Sequence, residues 1–284
     1  MPPRENPTAR QVRLGAELRK MRERAGKTAR EAAGRLGVDQ ARMSNIEAGR
    51  MGVSEERLRT LAAFYLCDDQ ALIDALAAMT HERRGQFWWD EYRGILPPAF
   101  LDIAELEHHA SYLRSLQTLS IPGLLQTEDY ARTLFSSEVT MLPPAEIDAR
   151  VEHRMRRQRI LDRDVPPPLT MIIHEAALRM RYGGRKVLIQ QFDRLLAVSE
   201  RSNVTIRVLP FTSERYIEVT QPVLYAGGVV PQLDTAQMDN HLGGYHWDAE
   251  AELRRHRLLL DFAQQDSLDA VASREFIRQT AREL

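Results

Sequence analysis

The chain of 284 residues is 43% hydrophobic and 28% charged, more than one small domain needs and comfortable for two. No window approaches the roughly 18–20 apolar residues of a membrane span, and Met1-Pro-Pro-Arg-Glu-Asn6 lacks the apolar run of a signal peptide; a membrane or secreted protein is excluded and a cytoplasmic one expected. Cys67 is the single cysteine, which excludes an intrachain disulfide and a cysteine zinc cluster.

The formal net charge of −1 hides an asymmetry. Residues 1–60 hold 14 Lys+Arg and 8 Asp+Glu, a net of +6, and the remainder holds 25 and 32, a net of −7. A basic head on an acidic body is the charge pattern of a DNA-contacting module joined to a domain of another kind.

Residues 1–11 hold three prolines and little apolar material, and read as a flexible arm. From Val12 the pattern is helical: Leu14, Leu18, Met21 and Ala25 fall on one stripe, and Gly26 ends it. Thr28 and Glu31 form a capping box for a second helix, with Ala32, Ala33 and Leu36 inward and Gly37 closing it. Asp39 caps a third helix, Gln40 to Ala48, stopped by Gly49. Ser54 caps a fourth, with Leu58, Leu61, Ala62 and Tyr65 buried. A fifth is expected from Asp69 to Arg83, with Leu72, Ile73, Leu76 and Met79 inward.

Two short helices joined by a glycine turn, between flanking amphipathic helices, is the plan of a helix-turn-helix; Ala33 and Gly37 are spaced for close approach at its corner. At about 100° per residue, Met43 and Ile46 of the third helix point one way, and Gln40, Ala41, Ser44 and Asn45 fall on another face. Gln and Asn can bond adenine bidentately and Ser is versatile, so this face suits base reading. Lys27, Thr28, Arg30, Arg42 and Arg50 are candidate phosphate contacts beside it.

The runs Leu14–Gly26, Glu31–Val38 and Gln40–Gly49, in that order, resemble the XRE-type regulators, which are built like the phage repressors. The resemblance implies an all-α, five-helix, lambda-repressor-like domain with the Gln40–Ala48 helix in the major groove of double-stranded operator DNA. It places Gln40, Ala41 and Asn45 at base-facing positions, and Arg22 with Glu47 at a structural pair that ties the first helix to the third. Ala29 is a departure: the family often has Gln there, and the contact usual at that point loses its side chain.

On this reading the helix-turn-helix domain covers residues 12–80, a junction 81–98 and a second domain 99–284. Phe87, Trp88, Trp89 and Tyr92 in the junction are expected to pack between the domains, with a dimer, partner or ligand surface as the alternative. Beyond Pro98, Leu106, Ala110, Leu113 and Leu116 predict a helix ended by Ile121-Pro-Gly123. Thr127 caps another, and a third runs from about Ala145 to Arg163. Arg150, Arg154 and Arg157 share one stripe of it, read as a solvated face, with an acidic partner or a second DNA contact as the alternative. Strands are expected at Leu169–Ile173, Val204–Leu209 and Ile217–Tyr225, and helices at Lys186–Arg201, Glu250–Gln264 and Ser273–Glu283. The second domain is thus expected to be α+β, mostly helical with a small sheet.

Four motifs in this domain, Ile121–Ala131, Arg150 with Arg157-Gln158, His174–Leu178 and Asn203–Pro210, resemble the actinobacterial WhiJ-like group of XRE regulators. That resemblance implies a regulator of development or secondary metabolism whose gene often sits beside one for a small acidic protein, a pairing likened to an antitoxin and its partner. Tyr182-Gly-Gly184 and Gly228–Gly244 match less clearly.

The sequence has no Gly-x-Ser-x-Gly elbow, no phosphate loop ending in Lys-Ser/Thr and no His-Glu-x-x-His, and neither an enzyme nor a cofactor is expected. His174, beside Glu175, is read as a hydrogen-bonded structural histidine, and the polar stretch with Asp234, Asp239, His241, His246 and Asp248 as an ordinary surface loop, with a site at the first and a metal or ligand loop at the second as the lesser alternatives. The expected protein is a homodimeric, sequence-specific DNA-binding transcription regulator. Its rivals are an antitoxin-like adaptor that acts on a small partner, and a repressor with a small-molecule effector pocket within residues 99–284.

Overall fold

The computed structural model describes residues 4, 6–82, 85–138, 141–218, 221–240 and 243–284, with the backbone alone at 239, 240 and 243. The chain forms two compact units, one up to Arg93 with Leu101–Glu105, the other Gly94–Phe100 with Leu106–Leu284.

The first unit holds α1 (Ala9–Arg24), α2 (Ala29–Leu36), α3 (Gln40–Glu47), α4 (Glu55–Phe64) and α5 (Gln70–Met79). Each start is a local hydrogen bond. Thr28, Asp39, Ser54 and Asp69 accept from the backbone N–H three residues on. Thr8 does the same for α1 in a capping box with Gln11, so the helix begins three residues before Val12 and takes up the end of the expected arm. Residues 1–3 and 5 of that arm lie outside the described residues. Leu18, Met43, Leu58, Leu61 and Leu76 are fully buried and form the centre of the bundle. α5 stops at Met79, short of the expected Arg83, which also lies outside the described residues. A single 3-10 turn, Trp88–Tyr92, buries Trp89 and Tyr92, with the Phe87 ring stacked 4.5 Å from Trp89.

The chain continues through α6 (Pro98–His109), β1 (Tyr112–Gln117), α7 (Glu128–Ser136), α8 (Pro144–Arg157), β2 (Leu169–His174), α9 (Glu175–Arg179) and α10 (Gly184–Val198). It closes with β3 (Val204–Leu209), β4 (Val223–Gly227), β5 (Thr235–Asn240), β6 (Gly243–Trp247), α11 (Glu250–Asp266) and α12 (Ala270–Arg282). The strands form one sheet in the order β3-β2-β1-β4-β5-β6. β1, β2 and β3 are parallel, and β4 to β6 run antiparallel beside β1. One face packs Leu113, Met171, Ile173 and Val208 on Phe192, Leu195 and Ile277 of α10 and α12. The other packs Leu116, Ile172, Leu209 and Tyr225 on Leu253, Leu260 and Ala263 of α11.

Four expectations fail in this unit. The helix read through Leu113 and Leu116 ends at His109; Ala110 turns extended, and the two leucines belong to the strand β1. Their helix-like spacing arises because β1 is covered on both faces, which erases the apolar-polar alternation of a half-buried strand. Of the polar stretch 234–248, 235–240 and 243–247 are not loop but the antiparallel strands β5 and β6, poor in the β-branched residues that mark strands; 241 and 242 lie outside the described residues. The strand expected at Ile217–Tyr225 starts at Val223 and runs on to Gly227. The fourth failure is the arginine stripe of α8, which is internal and not solvated. Arg150 Nη1 meets Glu138 Oε1 at 2.7 Å and its Nη2 meets Glu146 Oε1 at 2.7 Å. Arg154 Nη1 donates to Gln126 Oε1 at 2.7 Å, and Arg157 makes a two-pronged pair with Glu107 at 2.5 and 2.8 Å. Most of these partners come from other elements, and no periodicity on α8 itself announces them.

Candidate nucleic-acid interface

α3 is held from both ends and from behind. At its start the Asp39 carboxylate accepts from the Arg42 N–H at 2.6 Å, which fixes where the helix begins. Behind it Met43 and Ile46 are 0% and 2% exposed, so their burial sets the helix's rotation about its own axis. The backbone of α3 also touches that of α1, since a Cβ on Gly15 would stand 2.5 Å from the Glu47 carbonyl oxygen. Gly49 lies equally close to Gln11 and has φ +71°, a conformation natural only to glycine. At the far end Arg4 donates its N–H to the Arg50 carbonyl at 2.7 Å and its Nη1 to the Gly49 carbonyl at 3.3 Å.

Arg22 and Glu47 lock the same corner. Arg22 Nε donates to Glu47 Oε1 at 2.6 Å and Nη2 to Oε2 at 3.0 Å, and Nη1 donates to the Lys27 carbonyl at 2.8 Å. One guanidinium thus binds α1, the α1–α2 turn and α3. The Glu47 hydrogen bond raises the Arg22 pKa above its ordinary value, against the burial that opposes it.

With that inner face fixed, the outer one is determined. Gln40, Ala41, Arg42 and Ser44 are exposed, and Asn45 is half-buried. The candidate phosphate contacts divide. Arg30 and Arg50 are exposed; Lys27 is half-buried with its ammonium 5.2 Å above the Phe64 ring. The Thr28 hydroxyl already serves α2: it accepts from the Glu31 N–H at 3.2 Å and donates to Glu31 Oε2 at 2.8 Å. The Thr28 N–H, which donates to Glu31 Oε2 at 2.7 Å, and then its hydroxyl hold the Glu31 carboxyl below its usual value. Gly15 and Arg4 are residues that sequence reading passed over, and Gly49 was read only as the stop of the third helix. Gly15 carried a signal, since a glycine inside a helix costs roughly 1 kcal/mol against alanine and so marks a close approach.

The histidine and carboxylate groups considered for metal or ligand chemistry sit elsewhere. His174 Nδ1 accepts from the Ala176 N–H at 3.1 Å and caps α9. Asp234 is 4% exposed and accepts from Tyr225 Oη at 2.5 Å and from the Gly228 N–H at 2.9 Å. His246 and Asp248 fall on and just after β6; His241 and the Asp239 side chain lie outside the described residues. Among the described residues no group of three His, Cys, Asp or Glu side chains is arranged to hold a metal, and no helix is long and apolar enough to cross a membrane.

Two family models match the chain. Residues 13–76, from α1 to α5, match one described as a helix-turn-helix domain. Residues 100–279, from α6 to α12, match one described as a domain of unknown function, DUF5753. No curated protein and no solved structure matches. The DUF5753 match covers more than half of the chain, which therefore belongs to that family and carries a helix-turn-helix domain ahead of it.

Proposed function

We propose that the protein is a sequence-specific DNA-binding transcription regulator that lays α3 in the major groove of its operator. The observation that carries this reading is the division of α3: Met43 and Ile46 are buried and fix its rotation, while Gln40, Ala41 and Ser44 stand exposed beside Asn45. Gln40 and Asn45 have the paired donor and acceptor that adenine presents in the major groove, and Ser44 bonds several bases. Arg30, Arg42, Arg50 and Lys27 supply phosphate contacts that set affinity and register, and the α3 face selects the sequence. Thr28 donates both its N–H and its hydroxyl to Glu31 Oε2, so its part in phosphate binding runs through the amino end of α2 that it caps. The XRE-type and WhiJ-like assignments belong to this proposal, and so does a twofold dimer on an inverted repeat with half-sites about 34 Å apart or a multiple of it.

The experiment is a pull-down of genomic DNA fragments by the purified chain, repeated with Gln40→Ala/Asn45→Ala. An inverted repeat enriched by the native chain and lost by the variant is the expected result. Absent enrichment, or enrichment the variant keeps, sinks the reading and turns attention to an adaptor that acts on a small protein partner.

A further inference from the structure

A cavity of about 340 Å³ opens at the carboxyl ends of the three parallel strands of the sheet. Thr118 and Leu119 follow β1, His174 ends β2, and Phe211 follows β3. The segments after β1 and β3 border it, and α9 begins directly after β2. The volume lies in the range of small-molecule sites, about 300–1,000 Å³.

Its floor belongs to the core: Leu116 and Leu209 are 1% and 4% exposed. Its rim does not. Leu119, Phe211 and Tyr216 are 52%, 58% and 86% exposed, three large apolar side chains left in water around one opening. Apolar surface of this kind, ringed by a few polar groups, is the mark of a binding site more than of an ordinary surface.

Two of the polar groups are donors. His174 Nδ1 accepts the Ala176 N–H, so the neutral ring carries its proton on Nε2, and burial lowers its pKa and favours that neutral form. The ring stands edge-on to Phe211 at 5.3 Å, which fixes its plane beside the rim. Arg215 is the one charged side chain on the lining; its Nε meets Asp266 Oδ1 at 3.3 Å and its guanidinium lies 5.7 Å over the Phe262 ring, which among the described residues leaves its other N–H groups for a ligand. A guanidinium has five N–H donors.

We propose that this cavity binds a small, flat, mainly apolar organic carboxylate, its body on Leu116 and Leu209 between the Phe211 and Tyr216 rings, its carboxylate toward His174 and Arg215. The site is complete within the second unit, and it stands or falls apart from the DNA reading because its test contains no DNA.

That test is isothermal titration of the full-length chain with 2-naphthoate, and with 2-naphthylmethylammonium as the same ring bearing the opposite charge. Saturable one-to-one binding of the anion is expected, with the cation weaker by about tenfold or more. Thr118→Trp fills the cavity and Phe211→Ala removes an exposed rim ring without touching the core; each is expected to weaken 2-naphthoate by about tenfold, and Arg215→Gln to erase the preference for the anion. If Thr118→Trp does not fold, Phe211→Ala and Arg215→Gln decide. No saturable binding, binding that Phe211→Ala leaves unchanged, or equal binding of cation and anion overturns the proposal.

Discussion

A methyl group on Gly15 would stand 2.5 Å from the Glu47 carbonyl oxygen and 2.6 Å from that of Ile46. Both are backbone atoms and cannot swing aside, so Gly15→Ala must push α1 and α3 apart. Overpacking of this kind costs about 1–3 kcal/mol, and here the upper end outweighs the roughly 1 kcal/mol that alanine gains in helix propensity. The urea midpoint of the full-length chain is expected to fall. Glu47→Ala acts at the same corner by another route. It leaves Arg22, whose side chain is 11% exposed, with only the Lys27 carbonyl and a 3.6 Å contact to Glu23 Oε1, and a loss below the about 3–5 kcal/mol of a fully stranded buried charge is expected in the same assay. Glu105 makes stability depend on pH. It is 7% exposed, and burial, partly offset by a hydrogen bond from Thr8, raises its carboxyl from 4.5 to about 7. The folded chain therefore keeps a proton that the unfolded chain has already lost. The stability is full below about 4.5 and declines as pH rises through about 7, by on the order of 3 kcal/mol. Glu105→Gln should be indifferent to this interval, so the difference between variant and native urea midpoints should widen from pH 5 to pH 8. A constant difference would remove Glu105 as the cause.

At the scale of elements, β1 organises the second unit. It pairs with β2 on one side and β4 on the other, so both rows of its backbone groups are bonded, while β3 and β6 each form an edge of the sheet. Hydrogen–deuterium exchange followed by mass spectrometry should find Leu113–Gln117 among the slowest segments and Gly243–Trp247 far faster. Equal rates in the two would mean that β1 is not central. α8 is the second organiser, through Arg150 and Arg157. Arg157 and Glu107 are 6% and 4% exposed at the side chain, and the pair joins α8 to α6. Near it His153 is held neutral, its pKa pushed down to about 3 by burial and then by Arg157, Arg154 and Arg156. A histidine shifted this way stabilises above its unfolded value of 6.5 and loses that contribution as pH falls toward 3. Glu105 and His153 thus pull stability in opposite directions with pH, one in each unit.

For the whole molecule, the separation of charge has a measurable consequence. The +6 of residues 1–60 faces DNA phosphates in the proposed complex, and each phosphate contact adds about 0.9 to the slope of log affinity against log salt. Arg30→Ala, Arg42→Ala and Arg50→Ala are expected to weaken binding on all sequences alike, and each to lower that slope by about 1. Gln40→Ala should instead relax the sequence preference and leave the slope alone. A variant that does both, or neither, misassigns its residue. Light scattering on the chain, free and on operator DNA, tests the dimer: a monomer in both states contradicts it.

Much of the first unit could be read from the chain because its determinants are local. The caps at Thr28, Asp39, Ser54 and Asp69 act across three residues, and the glycine turns and apolar stripes act within one or two helical turns, so each appears in the sequence at the spacing it has in space. The face of α3 follows from the same periodicity, and β3 was legible at Val204–Leu209 because it is rich in β-branched residues. Tertiary structure alone decided the rest. Whether Leu113 and Leu116 lie on a helix or a strand depends on Leu169 and Val223, their neighbours in β2 and β4, which arrive more than fifty residues later. The arginines of α8 read as a charged face until Glu107 and Gln126 meet them from other elements. The cavity at the end of the parallel strands joins residues at and after the ends of three strands that share no periodicity. Local chemistry is written in residue spacing; pairing, ion-pair partners and cavities depend on which distant segments meet, and a single sequence does not carry that as a pattern.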